Sequence, residues 1–222
     1  MKTSKQFYTK LTAKGLKQRK TALHTASELK YIKKLLNKRQ HILDLACGYG
    51  RFTIPLARQG YSIEGMDITP SLVKDAKAAA KREHLDIHFR IGDMRRLPYA
   101  KDSFDAIICT WNAFSELYKE ADQLKAVNEM LRVLKKGGFA FIEMRYARVV
   151  PKIHTNKSVG DEAVRSGKRI TTGKTAGIGS MPQYVHNKST IRRIMGKAGS
   201  RRYIAVIENF GGRERFLLRF WK

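Results

Sequence analysis

Between residues 41 and 144 the chain alternates short apolar runs with stretches whose apolar positions recur every three or four residues. His41–Ala46, Tyr61–Met66, Ile87–Ile91, Phe104–Cys109 and Phe139–Met144 read as strands. Arg51–Gln59, a segment from Thr69-Pro70 to Lys81, and a segment with Leu124, Val127, Leu131 and Leu134 on one face read as helices. His41–Ala46, an apolar run broken by one acid, reads as a buried strand. Strand and helix alternating this regularly predict an α/β fold, a parallel sheet with helices on both sides. Pro70 suits the first turn of its helix with Ser71 available as a cap, and Gly137-Gly138 read as the stop of the helix before the fifth strand.

The flanks follow other patterns. Residues 1–15 show no clear periodicity and read as a basic arm with one aromatic anchor, Phe7-Tyr8. From Leu16 to Asn37, Leu23, Ala26, Leu29, Ile32 and Leu36 mark an amphipathic helix. Tyr146–Met181 mixes Gly, Ser, Thr, Lys and Arg and reads as a long loop or lid. Ser189–Ala198 reads as a helix, and Tyr203–Glu208 with Arg215–Trp221 as a closing hairpin around Asn209–Gly212. The expected organisation is a basic arm and helix (1–40), an α/β core (38–145), a basic lid or insertion (146–183) and a C-terminal helix and hairpin (184–222) that complete the sheet.

Charge is distributed along the same boundaries. Of the net +26, residues 41–145 contribute little, with 16 basic and 14 acidic residues. Residues 1–40 hold 12 basic residues against the single acid Glu28, and residues 146–222 hold 17 against four. Two basic flanks on a neutral core suggest RNA or another polyanion as partner, with simple solubility as the alternative. No apolar run approaches membrane-spanning length and no signal-peptide core is present, so no membrane partner is expected. Cys47 and Cys109 lack metal-type spacing; the expectation is a cytoplasmic protein with reduced thiols and no metal site.

Ligands of an open parallel sheet sit beyond the carboxyl ends of its strands. Asp44–Gly50, Asp67, Asp93-Met94 and Thr110-Trp111-Asn112 fall there, so three acids and a glycine turn should converge on one crevice. Gly48 and Gly50 let backbone approach a ligand without an intervening Cβ. A carboxylate at Asp67 can accept from vicinal ribose hydroxyls, and Asp93 can accept from an adenine amino group with Ile68 or Met94 against the ring.

Asp44-Leu-Ala46-Cys47-Gly48-Tyr-Gly50 resembles the first motif of the class I S-adenosylmethionine-dependent methyltransferases, with Ala at the first small position. Gly65-Met66-Asp67-Ile68 is similar to their ribose-binding acid, Gly92-Asp93-Met94 to their adenine-binding acid, and Phe104–Ile108 to their fourth strand. Leu131–Gly138 is similar to the turn before their fifth. The resemblance covers residues 38–145 and implies a doubly wound, mostly parallel seven-stranded sheet whose last strand is antiparallel. It also implies S-adenosylmethionine as cofactor, bound by Asp44, Ala46, Cys47, Gly48, Gly50, Asp67, Ile68, Asp93, Met94, Thr110 and Trp111, and methyl transfer as the reaction. Tyr8 is expected to fold over the cofactor, as N-terminal aromatic residues do in similar enzymes.

Two competing readings of the phosphate-binding kind fit less well. A nicotinamide dehydrogenase would place a glycine where Thr53 stands and leaves Asp93 unexplained. Ser166-Gly167…Gly173-Lys174-Thr175 has the wrong spacing for a phosphate loop and follows no strand. The acceptor is less determined. Thr110-Trp111-Asn112-Ala113 stands where enzymes that methylate exocyclic amines of nucleic acid carry paired prolines, and none occurs here. Cys109 lies within an apolar strand and reads as core, not as a nucleophile for pyrimidine carbon-5. The residues with acceptor chemistry near the site are Asn112, Glu143, Tyr146 and His186. Three functions stay open: a methyltransferase of RNA or another polyanion, a small-molecule methyltransferase with incidental basic flanks, and a non-catalytic S-adenosylmethionine-binding module.

Overall fold

The computed structural model of the chain describes residues 3–19, 22–145, 161–163, 170–175 and 178–222. Its main sheet is built from β1 (His41–Leu45), β2 (Ser62–Asp67), β3 (Phe89–Ile91), β4 (Phe104–Cys109) and β5 (Leu134–Met144), completed by β9 (Tyr203–Phe210) and β10 (Arg213–Trp221). A second, antiparallel sheet holds β6 (Asp161–Ala163), β7 (Ile170–Thr175) and β8 (Gly179–Tyr184). The helices are α1 (Ser4–Arg19), α2 (Ala22–Lys33), α3 (Thr53–Arg58), α4 (Pro70–Arg82), α5 (Glu120–Val133) and α6 (Lys188–Lys197).

The main sheet has the order β3-β2-β1-β4-β5-β10-β9. β1 through β5 run parallel, while β10 runs antiparallel to both β5 and β9. This is the doubly wound sheet expected from the strand–helix alternation, with the antiparallel last strand in place. Successive side chains of each strand serve opposite cores. Leu43, Leu45, Ile107, Cys109, Ala140 and Ile142 pack with α5 and α6. Ile42, Ala106, Ile108, Phe139 and Phe141 pack with Ile32 of α2, Phe52 just before α3, Leu56 of α3 and Phe210. Burial on both sides is the physical reason that β1, β4 and the second half of β5 read as nearly unbroken apolar runs.

Four local expectations are corrected. Residues 4–19 are helical, not an irregular arm. Thr12 sits at φ 61° inside α1 and breaks it, which hides the apolar period carried by Phe7, Leu11, Ala13 and Leu16. Leu23, expected on the buried face of the next helix, is 80% exposed. α5 ends at Val133, four residues before the glycines, and is turned so that Ala126, Val127, Met130 and Val133 face the core; Leu134 already belongs to β5. Ser71 Oγ caps nothing and has no hydrogen-bond partner. The described part of the expected lid contains β6, β7 and β8, and β8 packs on α1 and on the 3-10 turn Ala113–Glu116. No helix among the described residues is long and apolar enough to cross a membrane.

Candidate active site

The turn that follows β1 builds the first wall. Cys47 N donates to Met66 O at 3.0 Å, and Gly48 N donates to Asp67 Oδ2 at 2.9 Å, stitching the turn to the end of β2. Gly50 lies at φ 81°, and a Cβ there would stand 2.9 Å from Ile54 of α3, so only glycine lets the helix start this close to the strand. Ala46 holds the left-handed region at φ 62° without being glycine, a local strain. Asp44 is buried; its Oδ2 accepts from Thr53 Oγ1 at 2.6 Å. Burial raises its carboxyl to about 6, against the opposing pull of Thr53 and Arg51.

The turn borders a cavity of about 450 Å³ at the carboxyl ends of β1 to β4. Of the residues expected to hold a cofactor, Asp44, Ala46, Cys47, Gly48, Asp67, Ile68, Asp93, Met94, Thr110 and Trp111 all line it. Gly50 stands behind this wall, packed toward Ile54 and Phe89. Asp67 accepts from Gly48 N and, through Oδ1, from Thr69 N at 2.8 Å; burial pushes its carboxyl up, and these backbone donors oppose the shift. Asp93 is clamped by Arg95, whose Nη2 lies 2.6 Å from Oδ2. Burial alone would raise Asp93, but the Arg95 side chain and backbone donors bring it below the ordinary carboxylate range. Arg95 also reaches Asp122 at 3.2 Å.

The remaining sequence candidates lie elsewhere. Glu143 is 1% exposed and forms an ion pair with Arg215 at 2.7 Å, while its Oε2 accepts from Asn112 N at 3.0 Å. Asn112 is thereby held at φ 58°, with its side chain outside the cavity lining. His186 is fully buried between Ser115 Oγ at 3.4 Å and Gln123 Oε1 at 3.3 Å, with its ring against Tyr184 and Phe114. The next residue, Asn187, caps α6, its Oδ1 accepting from Thr190 N at 2.9 Å. Tyr146 lies outside the described residues. Cys109 is buried and its thiol is pushed upward by that burial, as a core residue's would be.

Sequence reasoning passed over two side chains that line the cavity, Arg51 and Glu116, and the helical form of a third group. Arg51, at the head of α3, pairs with buried Glu28 through Nη1, and its guanidinium lies 3.9 Å from the centre of the Phe52 ring and 5.0 Å from that of Trp111. Its Nη2 is buried without a hydrogen-bond partner. Its signal was available: an arginine directly after the glycine turn, at a helix start. Glu116 closes the 3-10 turn after β4 and had no signal beyond its position in that loop. The third is α1, which brings Ser4, Tyr8 and Leu16 to the cavity, so the aromatic anchor of the N-terminal segment does fold over it. Tyr8 OH donates to Glu116 Oε1 at 2.5 Å.

The lining suits S-adenosylmethionine. Asp67 offers a carboxylate to hydroxyls, Ile68, Leu72 and Met94 offer apolar surface to a flat base, and the orphaned Nη2 of Arg51 is a donor that lacks an anion. Residues 42–138 match the family model for a methyltransferase domain. That match, over somewhat less than half of the chain, is to the kind of domain that the motifs after β1, β2 and β3 resemble. The chain is 32% identical over 147 residues to a glycine/sarcosine N-methyltransferase of Parasynechococcus marenigrum, an alignment covering 65% of this chain and 49% of that protein. It is 36% identical over 106 residues to a demethylmenaquinone methyltransferase of Deinococcus radiodurans, covering 47% of this chain and 42% of that protein. The chain thus spans less than half the length of these relatives. Among solved structures, the PH0226 protein of Pyrococcus horikoshii aligns with a TM-score of 0.74 at 20% identity over 95% of this chain and 92% of that one. The S-adenosylmethionine-bound amino pentose methyltransferase CalS10 of Micromonospora echinaspora aligns with a TM-score of 0.66 at 21% identity over 93% and 95%. These two similarities concern the fold.

Proposed function

We propose that this chain is an S-adenosylmethionine-dependent methyltransferase whose acceptor is a small molecule. The observation that carries the reading is the placement of α1. Its Phe7, Leu11, Ala13 and Leu16 are buried with Leu72 and Met181, so the N-terminal segment is packed into the protein at the crevice. A cavity of about 450 Å³ is at the lower end of the range for small-molecule sites. It has room for the cofactor and one compact acceptor. When bound, S-adenosylmethionine supplies a methyl group on a positively charged sulfur. Asp67 would hold the ribose hydroxyls, Ile68 and Met94 the adenine faces, and Arg51 Nη2 the terminal carboxylate. Thr110 and Trp111 would border the reacting end. The names of the relatives, a glycine/sarcosine and a demethylmenaquinone methyltransferase, support an acceptor of this size. Reduced, buried Cys47 and Cys109 fit a cytoplasmic setting.

A second reading keeps RNA or another polyanion as acceptor. Its support is the charge of the flanks and the exposure of Lys10, Lys14 and Lys17 on α1. One set of measurements separates the two. Calorimetry with S-adenosylmethionine should give a 1:1 isotherm, and methyl-labelled cofactor incubated with extract fractions should mark the small-molecule pool. Label in RNA, together with salt-dependent RNA retention on filters, would replace the first reading by the second. Absence of cofactor binding would overturn both, and binding with no label in any fraction would leave a non-catalytic binding module.

A further inference from the structure

The charged groups of the cavity pair off in a way that leaves three carboxylates, Asp44, Asp67 and Glu116, outside the ion pairs of the described residues. Arg51 is taken by Glu28, and Arg95 by Asp93 and Asp122. Asp44 is held by the Thr53 hydroxyl, and Asp67 by two backbone N–H groups. Lys5 and Lys119, the other cations of the lining, are exposed. Of these three, Asp44 and Asp67 are buried and Glu116 is partly exposed to the cavity. Tyr8 OH reaches it at 2.5 Å and the Ser4 hydroxyl bonds the same carboxyl, and both come from α1. None of the ion pairs among the described residues involves it. Tyr8 is in contact with it, and Tyr118, two residues further on, lines the same cavity; ring faces of this kind attract cations. A half-buried carboxylate with no cationic partner, beside an aromatic ring, is a site for a positively charged group.

We infer that the acceptor is an amine, bound as its ammonium against Glu116, and that Glu116 takes the proton that must leave before nitrogen can attack. The inference rests on the methyltransferase reading above and narrows its acceptor. The ammonium passes one proton to the Glu116 carboxylate, which frees the nitrogen lone pair. That pair forms the bond to the methyl carbon while the carbon–sulfur bond breaks, its electrons staying on sulfur and leaving a neutral thioether. The product is a methylated ammonium, and Glu116 returns its proton to water. The titratable and charged groups acting on Glu116 are Tyr8 of α1 and Asp67 at the end of β2, with Cys109 of β4 nearby. Burial first, and the charge of Asp67, raise its carboxyl to about 7 against the two hydroxyl donors, where it can accept a proton and release it again near neutral pH.

The test has two arms. In the first, the full chain with methyl-labelled cofactor is given the small-molecule fraction of an extract, split on a cation exchanger into retained and unretained pools. Label should enter the retained pool and stay on basic, alkali-stable product. Glu116→Gln should lower kcat/KM about 100-fold or more with the cofactor Kd within about twofold, while Glu116→Asp recovers part of the rate. Label confined to product that carries no methylated nitrogen would overturn the amine inference and leave the methyltransferase reading intact; absence of cofactor binding would overturn that reading instead. In the second arm, carboxyl-13C glutamate labelling follows Glu116 by NMR, assigned by its loss in Glu116→Gln. A midpoint near 7 is expected in the free protein, and a midpoint in the ordinary range of about 4 to 5 would overturn the proton-accepting role.

Discussion

Replacing Glu28 by alanine should be among the most destabilising single changes available outside the hydrophobic core. Glu28 lies on α2 and Arg51 at the head of α3, with side chains 3% and 5% exposed. The guanidinium is enclosed by Phe52 and Trp111 and has one nitrogen already without a partner, so it cannot turn to water when its counter-charge is removed. Leaving one member of a buried pair uncompensated costs about 3–5 kcal/mol. For a domain of this length that corresponds to a melting temperature lower by roughly 6 to 20 °C. Urea unfolding of the cofactor-free protein, followed by tryptophan fluorescence, would measure it; Trp111 reports directly because it stands over Arg51. The double variant Glu28→Ala with Arg51→Met removes both charges and should regain most of the loss. A single variant within about 0.5 kcal/mol of wild type would refute the account. So would a double variant no more stable than the single one.

Further outcomes follow from the same geometry. Asp44 ionises near 3.9 in the unfolded chain and near 6 when folded, so the folded state holds the extra proton between those values. Its contribution to stability is therefore lost as pH rises from about 4 to 6, by ~3 kcal/mol in all. Asp44→Asn, which can still accept from Thr53, should gain on wild type by about that amount over the interval in urea titrations; a pH-independent difference would contradict the assignment. Gly211→Ala would place a Cβ 2.3 Å from Glu28 Cγ at a backbone φ of 65°. The loss should be at least about 2 kcal/mol by the same unfolding assay, and a neutral result would mean the β9–β10 turn does not rest on Glu28. Asp67→Asn removes the charge expected to face the ribose and should raise the cofactor Kd at least about tenfold by calorimetry; an unchanged Kd would move the ribose elsewhere.

The parallel part of the sheet was legible because its strands satisfy two cores at once. Such strands hold few polar residues, so His41 to Leu45 and Phe104 to Cys109 stand out despite Asp44 and Asp105, and both observed strands begin where they were expected. Helix ends were less legible. Gly137-Gly138 looked like a stop, yet hydrogen bonding to β4 and β10 draws the chain into β5 from Leu134 onward. The cavity lining followed from topology, since residues at the carboxyl ends of adjacent parallel strands must meet. What composition could not show was the use made of the flanks. Thr12 interrupts α1 and disguises two short helices as an arm. Glu143 and His186 carry chemically versatile groups, but an ion pair with Arg215 and a socket of Ser115 and Gln123 absorb them into the core. Glu116 was hidden because its role comes from what α1 brings to it.

The cover over the crevice is held by packing of its own, apart from that of the sheet beneath. Phe7, Leu11, Ala13 and Leu16 form a cluster with Leu72 and Met181, separate from the two cores that flank the strands. Mutations that reshape α1 thus leave most strand packing untouched while they change what stands opposite Glu116.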